Sequence, residues 1–157
     1  MYTPEYIKQQ REEQWRFELR NKLKAKDRTD KERVVMPAQA PEVRNKNHAE
    51  VNLGLSNEMA MAEASRCLDC VNPTCIEGCP VNINIPKFIK YIEAGKFNKA
   101  IEVIKEANAF PAVCGRVCPQ EVQCEAKCFY VQKLNKPAVA IGNLERFAAD
   151  CEMCSAN

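Results

Sequence analysis

The residues whose types and spacing could do chemistry are the cysteines, of which the chain has 10 among 157 residues. Eight fall in two groups. The first is Cys67-x2-Cys70-x4-Cys75-x3-Cys79-Pro80, and the second is Cys114-x3-Cys118-Pro119, continued by x5-Cys124-x3-Cys128. The remaining two, Cys151 and Cys154, form a C-x2-C near the end. Closely spaced thiolates let a short loop wrap one iron–sulfur cubane, and a last cysteine followed by proline is directed away, toward a second cluster. Soft thiolates beside a single histidine, His48, also favour iron–sulfur over copper or hard metals. The spacing alone proposes all eight grouped cysteines, Cys114 included, as ligands of two 4Fe–4S clusters.

Other chemistries remain open at this point. Four cysteines can hold tetrahedral zinc, although zinc ribbons usually carry two C-x2-C pairs separated by a longer spacer. Structural disulfides are the least expected, because the start of the chain has no apolar secretory core and cytosolic thiols stay reduced. The expected location is therefore cytoplasmic. A thioredoxin-type role for Cys67-x2-Cys70 lacks the surrounding βαβ pattern. The terminal Cys151 and Cys154 read as incidental thiols.

Composition closes off further classes. The chain has 23 Lys+Arg and 21 Asp+Glu, a net +2, which gives no electrostatic case for nucleic acid. Its 5 glycines are scattered, so phosphate-cradling and dinucleotide loops are absent. No apolar run reaches the ~18–20 residues of a membrane span. Charge is uneven: residues 1–48 carry 12 basic and 8 acidic side chains, residues 49–157 carry 11 and 13. All the cysteines lie in the second part.

The elements that must position them read as helices. Residues 4–26 suggest one long helix, N-capped by Thr3 with Pro4 in the first turn. Trp15, Leu19 and Leu23 form its apolar stripe, with Tyr6 and Phe17 on another side. Residues 34–47 read as an extended strap, since Pro37 and Pro41 block a helix. Ser56 caps a helix over 57–66. Pro86 opens another that Gly95 stops, with Phe88, Ile89 and Ile92 on one face. The pattern repeats over 97–107 with Phe97, Ala100, Ile101 and Ile104, giving a helical hairpin. Residues 121–128 and 141–151 suggest two more helices, and no segment alternates like a strand. The expected fold is all-α, divided into a basic leader (1–33), a strap (34–55) and a cysteine-rich body (56–157).

Several segments resemble one family. Arg66-Cys67-Leu68-Asp69-Cys70, Pro73-x-Cys75-x3-Cys79-Pro80-Val81, Cys114-Gly115-Arg116-Val117-Cys118-Pro119-Gln120, Cys124-Glu125-x2-Cys128 and Ile141-Gly142-Asn143-Leu144-Glu145-Arg146-Phe147 are similar to the N-terminal iron–sulfur domain of the NADPH-dependent glutamate synthase small (beta) subunit. The same domain occurs in the NADPH-binding subunit of bifurcating transhydrogenases and in dihydropyrimidine dehydrogenase. The match runs from about Met36 to Asp150 and leaves out the leader.

The resemblance implies an α-helical ferredoxin-like fold with two 4Fe–4S clusters and crossed ligation. Cys67, Cys70, Cys75 and Cys128 would hold the first. Cys79, Cys118, Cys124 and Glu145 would hold the second, with Cys114 a packing residue beside it. The implied role is electron transfer between a flavin and a partner redox centre, with no catalytic residue in this chain. FAD and NADPH would belong to a following domain or separate subunit, and a large catalytic subunit would be the other partner. This sequence carries no Rossmann-type segment, so it reads as a fragment or as a free-standing electron-transfer subunit. With its clusters loaded, the acidic body would complement the basic leader. The alternative from another class is a zinc-stabilised helical interaction module without a redox role.

Overall fold

The computed structural model describes residues 3–155. Among them there are helices and turns but no strand, only an isolated antiparallel bridge between Ala38 and Asn52. The fold is mostly helical, as the absence of alternation predicts.

The leader departs from the expected single helix. It forms α1 (Pro4–Arg11), α2 (Gln14–Asn21) and α3 (Ala25–Thr29). Glu13 (ψ 133°) and Lys24 (ψ 154°) are extended and break the ladder. Tertiary contact overrides helix propensity here. The two bends turn Ile7, Arg16, Leu19 and Arg28 inward together, a set no straight helix could bury on one body. Thr3 caps as expected, its hydroxyl accepting from the Tyr6 amide. Of the expected stripe, Trp15 stacks on Tyr91 at 4.3 Å and Leu19 is buried, while Leu23 is only half-buried.

The strap is extended around Pro37, whose carbonyl accepts from the Leu53 amide, and Gln39 donates to Val51. It then makes one short helix, α4 (Pro41–Arg44), where an extended run was expected. Proline at the first helical position has no amide to lose, so Pro41 starts this turn rather than blocking it.

The body is built on α5 (Asn57–Ala64), capped by the Ser56 hydroxyl. A short α6 (Thr74–Glu77) carries Cys75. The hairpin of α7 (Ile85–Glu93) and α8 (Phe97–Lys105) forms as read from the sequence, with Gly95 at φ +70° between them. Phe88, Ile89, Ile92, Ala100, Ile101 and Ile104 are buried, each large one contributing roughly 1.5–3 kcal/mol. A helix not expected from the sequence, α9 (Pro111–Val117), carries Cys114. The expected helix over 121–128 is absent. A 3₁₀ turn at Gln120–Val122 and irregular chain replace it, and α10 (Phe129–Leu134) starts only after Cys128. The long α11 (Ile141–Ser155) extends past its expected end and completes the core, with Phe147 edge-on to Phe97 at 5.0 Å.

Candidate metal centre

Two cavities open where the cysteines gather. The first is lined by Cys67, Cys70, Cys75 and Cys128, with walls that include Ile85, Ile89, Val139 and Ile141. The second is lined by Cys79, Cys114, Cys118, Cys124 and Glu145, with Asn108, Gln120 and Gln123 beside them. Each encloses about 420 Å³ of empty space, open mouth included. Adjacent cysteines therefore part company: Cys75 faces the first cavity and Cys79 the second, as do Cys128 and Cys124 respectively.

Local structure explains the parting. On one helix, Cys124 and Cys128 at i and i+4 would share a face. The irregular chain from Gln123, at φ −113° and ψ −113°, sends them to different cavities. Thr74 donates to the Lys127 carbonyl at 2.6 Å and ties α6 to this segment, so Cys75 and Cys128 meet across 53 residues of chain.

The first loop is pinned from its backbone. Lys90, fully buried, donates to the Cys67 carbonyl at 2.7 Å and pairs with Glu93 at 2.6 Å. Asp69 adopts φ +53°, a conformation that Asp tolerates better than most residues. Arg66 reaches the carbonyls of Pro137 and Ala138 and pairs with buried Glu63. Glu63 in turn accepts from the Ala140 amide at 2.8 Å, which fixes the entry to α11.

The second cavity depends on a close crossing of α9 and α11. A Cβ added at Gly115 would lie 2.6 Å from the Arg146 amide nitrogen. One at Gly142 would meet the side chain of Gln120, in the turn that follows α9. At Gly115 only glycine permits backbone approach this tight, and the approach sets Glu145 beside Cys118. Glu145 is 7% exposed, and its carboxyl accepts a hydrogen bond from the Asn108 amide at 2.8 Å. Burial pushes its carboxyl up to about 7, and the Asn108 bond only partly opposes that. Arg146 does not balance Glu145. It pairs instead with Glu50 at 3.1 Å and Asp150 at 3.2 Å.

Burial raises the thiols too. Cys70 and Cys124 rise to about 12, and Cys118 to about 11. Cys75 is pushed well above the ordinary range, and Cys67 also rises. Repulsion from neighbouring thiols adds to each of these, and at Cys67 the Lys90 charge opposes burial. Desolvated thiols and a buried carboxyl become anionic ligands only with a cation among them. Among the described residues no three His, Cys, Asp or Glu side chains gather to hold one metal ion. A zinc site needs its donors about 2.3 Å from a single point. A four-iron cluster is gripped at separate irons, so its ligands can stand apart around a cavity. The donor set fits such clusters.

The structure brings every sequence-expected ligand to one of the two cavities, and it brings Cys114 to the second as well. Cys114 contacts the Asn108 side chain at 3.6 Å. Cys151 is half-buried on α11 and Cys154 is exposed, both outside the two cavities. No disulfide joins any of the cysteines. His48 is exposed. Sequence reasoning missed Asn108, Lys90 and Asp69. Asp69 carried one signal, its place inside C-x2-C; Asn108 and Lys90 carried none.

Known proteins resemble this chain over most of its length. The chain is 39% identical over 121 residues to the small chain of NADPH glutamate synthase from Escherichia coli, covering 77% of this chain and 25% of that one. It is 38% identical over 116 residues to the corresponding small chain from Azospirillum brasilense, covering 73% and 24%. It is 40% identical over 107 residues to the NAD-dependent dihydropyrimidine dehydrogenase subunit PreT of Salmonella typhimurium, covering 68% and 25%. The chain thus spans about a quarter of the length of these relatives. No helix among the described residues is long and apolar enough to cross a membrane. Residues 44–156, which include both cavities, match the family described as dihydropyrimidine dehydrogenase domain II, 4Fe–4S cluster, and the chain belongs to that family.

Proposed function

We propose that this chain is an electron-relay domain with two 4Fe–4S clusters in an α-helical ferredoxin-like wrap. Cys67, Cys70, Cys75 and Cys128 hold the first cluster, and Cys79, Cys118, Cys124 and Glu145 hold the second. One observation carries the reading: the ligands sort into two cavities, each drawing on both halves of the body. Each cluster, when bound, accepts and passes on one electron. The chain's residues hold the ligands, exclude water with the Ile85, Ile89, Val139 and Ile141 walls, and set the local charge. The carboxylate is a harder ligand than thiolate, so Glu145 would give the second cluster a different potential from the first.

The relay would run between a flavin domain that meets NADPH, in the same or a separate chain, and a redox centre on a larger catalytic subunit. The names of the relatives support that reading, as does the quarter of their length that this chain spans. A reduced thiol set suits the cytoplasm.

The test is anaerobic reconstitution followed by iron and acid-labile sulfide analysis. Brown protein with about eight irons and eight sulfides per chain is the expected result. Stoichiometric zinc with no labile sulfide would overturn the reading in favour of a zinc-stabilised module.

A further inference from the structure

The leader lies outside the residues that match the family, 44–156, yet it is built into the first cavity's ligand loop. Asp69, between Cys67 and Cys70, is 0% exposed. Arg16, 1% exposed, meets it with a two-pronged contact: Nε lies 3.1 Å from both carboxylate oxygens, and Nη2 bonds Oδ1. Arg20 donates to Oδ2 at 3.0 Å. Arg11 donates to the Asp69 carbonyl at 2.7 Å. All three arginines come from α1 and α2. The bends in the leader have this contact as their consequence, since Arg11, Arg16 and Arg20 reach one loop from two helices.

The clamp also sets charge. Arg11, Arg16 and Arg20 outnumber Asp69 and Glu12, with which they pair, by one. Close behind the same loop, Lys90 and Arg28 outnumber their shared partner Glu93 by one. The loop is thus backed by net positive charge in a region largely removed from water, where Coulomb interactions are weakly screened. Reduction adds one negative charge to a cluster, so positive surroundings favour the reduced form.

We propose that Asp69 and the leader arginines Arg16 and Arg20 are positioning residues of the first cavity, fixing the Cys67–Cys70 loop and setting the reduction potential of the cluster there. The proposal rests on the cluster reading above. It makes the leader part of the redox site rather than an appendage to it. The guanidinium fork holds Asp69 in its left-handed turn, and that turn holds both flanking thiols toward the cavity. The carboxylate lowers the potential of the first cluster and the guanidiniums raise it, with the balance in favour of the arginines.

The experiment is a redox titration of the anaerobically reconstituted full chain, one electron per cluster drawn from dithionite, followed by electron paramagnetic resonance of each cluster. Asp69→Asn keeps a residue that tolerates positive φ but deletes the charge, and it should raise the first cluster's potential. Arg20→Gln should lower it. The second cluster should stay where it is in both. Arg16→Lys keeps the charge and loses the fork. It should leave the potential near its starting value while the first cluster loses iron to a chelator severalfold faster. A purely structural clamp would shift both charge variants in one direction, or would lose the cluster in both. Shifts of the same sign, equal shifts in the two clusters, or no shift would each overturn the proposal. If Asp69→Asn fails to fold, Arg20→Gln at the edge of the clamp decides alone, and an unchanged first-cluster potential there overturns it. Wild-type protein that takes up zinc without sulfide would instead refute the cluster reading, before any variant is compared.

Discussion

Glu145 and Cys114 compete for one role, and their surroundings distinguish them. Both line the second cavity, and both touch Asn108. Cys114 sits on α9, partly exposed. Glu145 is a carboxyl carried into the core on α11, which would be costly if nothing offset it, since burial of an unpaired charge is strongly unfavourable. A cluster iron would offset that cost. Glu145→Ala should therefore leave the first cluster intact and make the second labile, and Glu145→Cys should retain the second cluster with a shifted potential. Cys114→Ala should keep both. Iron counts and low-temperature spectra after chelator challenge check this. Loss of a cluster in Cys114→Ala, with Glu145→Ala unchanged, would return the ligand to the one that cysteine spacing alone suggests.

At the scale of elements, the hairpin of α7 and α8 was legible because its apolar residues recur at helical spacing and Gly95 marks the turn. The cysteine-bearing segments were not. The segment holding Cys124 and Cys128 reads locally as a helix, whereas the irregular chain from Gln123 sends them to two cavities. The leader bends were hidden for a related reason: Glu13 and Lys24 are ordinary helix formers, and the bends accompany buried ion pairs that span 53 and 65 residues of chain. The close crossing of α9 and α11 was visible only as one glycine, Gly115, in a resembling motif. It yields a direct test. In a helix, Gly→Ala usually stabilises by about 1 kcal/mol. At Gly115 the new Cβ would meet Arg146 backbone at 2.6 Å, where no side-chain movement can relieve it. Overpacking of this kind costs about 1–3 kcal/mol and should win. Gly115→Ala is expected to lower the thermal midpoint of the reconstituted protein and to weaken the second cluster selectively. Val113→Ala, half-exposed on the same helix, is the near-neutral control. A Gly115→Ala protein as stable as the parent would show that the crossing is looser than the structure has it.

For the whole molecule, the cavities lie where parts of the chain distant in sequence meet. Helix packing alone gives a modest core, centred on α5, α7, α8 and α11. The cysteine-bearing loops lie beside it, fastened by charged contacts from the leader and by the Tyr130 hydroxyl, 2.8 Å from the carbonyls of both Arg28 and Arg66. Crossed ligation would add two bonds that neither half can make by itself. Cys128→Ser should then damage the same cluster as Cys70→Ser, although 58 residues separate them. Cys79→Ser should damage the other, although it stands four residues from Cys75. Metal binding and folding are coupled wherever the ligands are brought together only by the fold. Either loss should therefore raise amide hydrogen exchange in both halves of the body, not only near the altered cysteine. Separate spectra of the two clusters, recorded with exchange maps on the same preparations, measure both effects. If Cys75→Ser and Cys79→Ser removed the same spectroscopic signal, ligation would follow sequence proximity, and the division between the two cavities would have no counterpart in the metal centres.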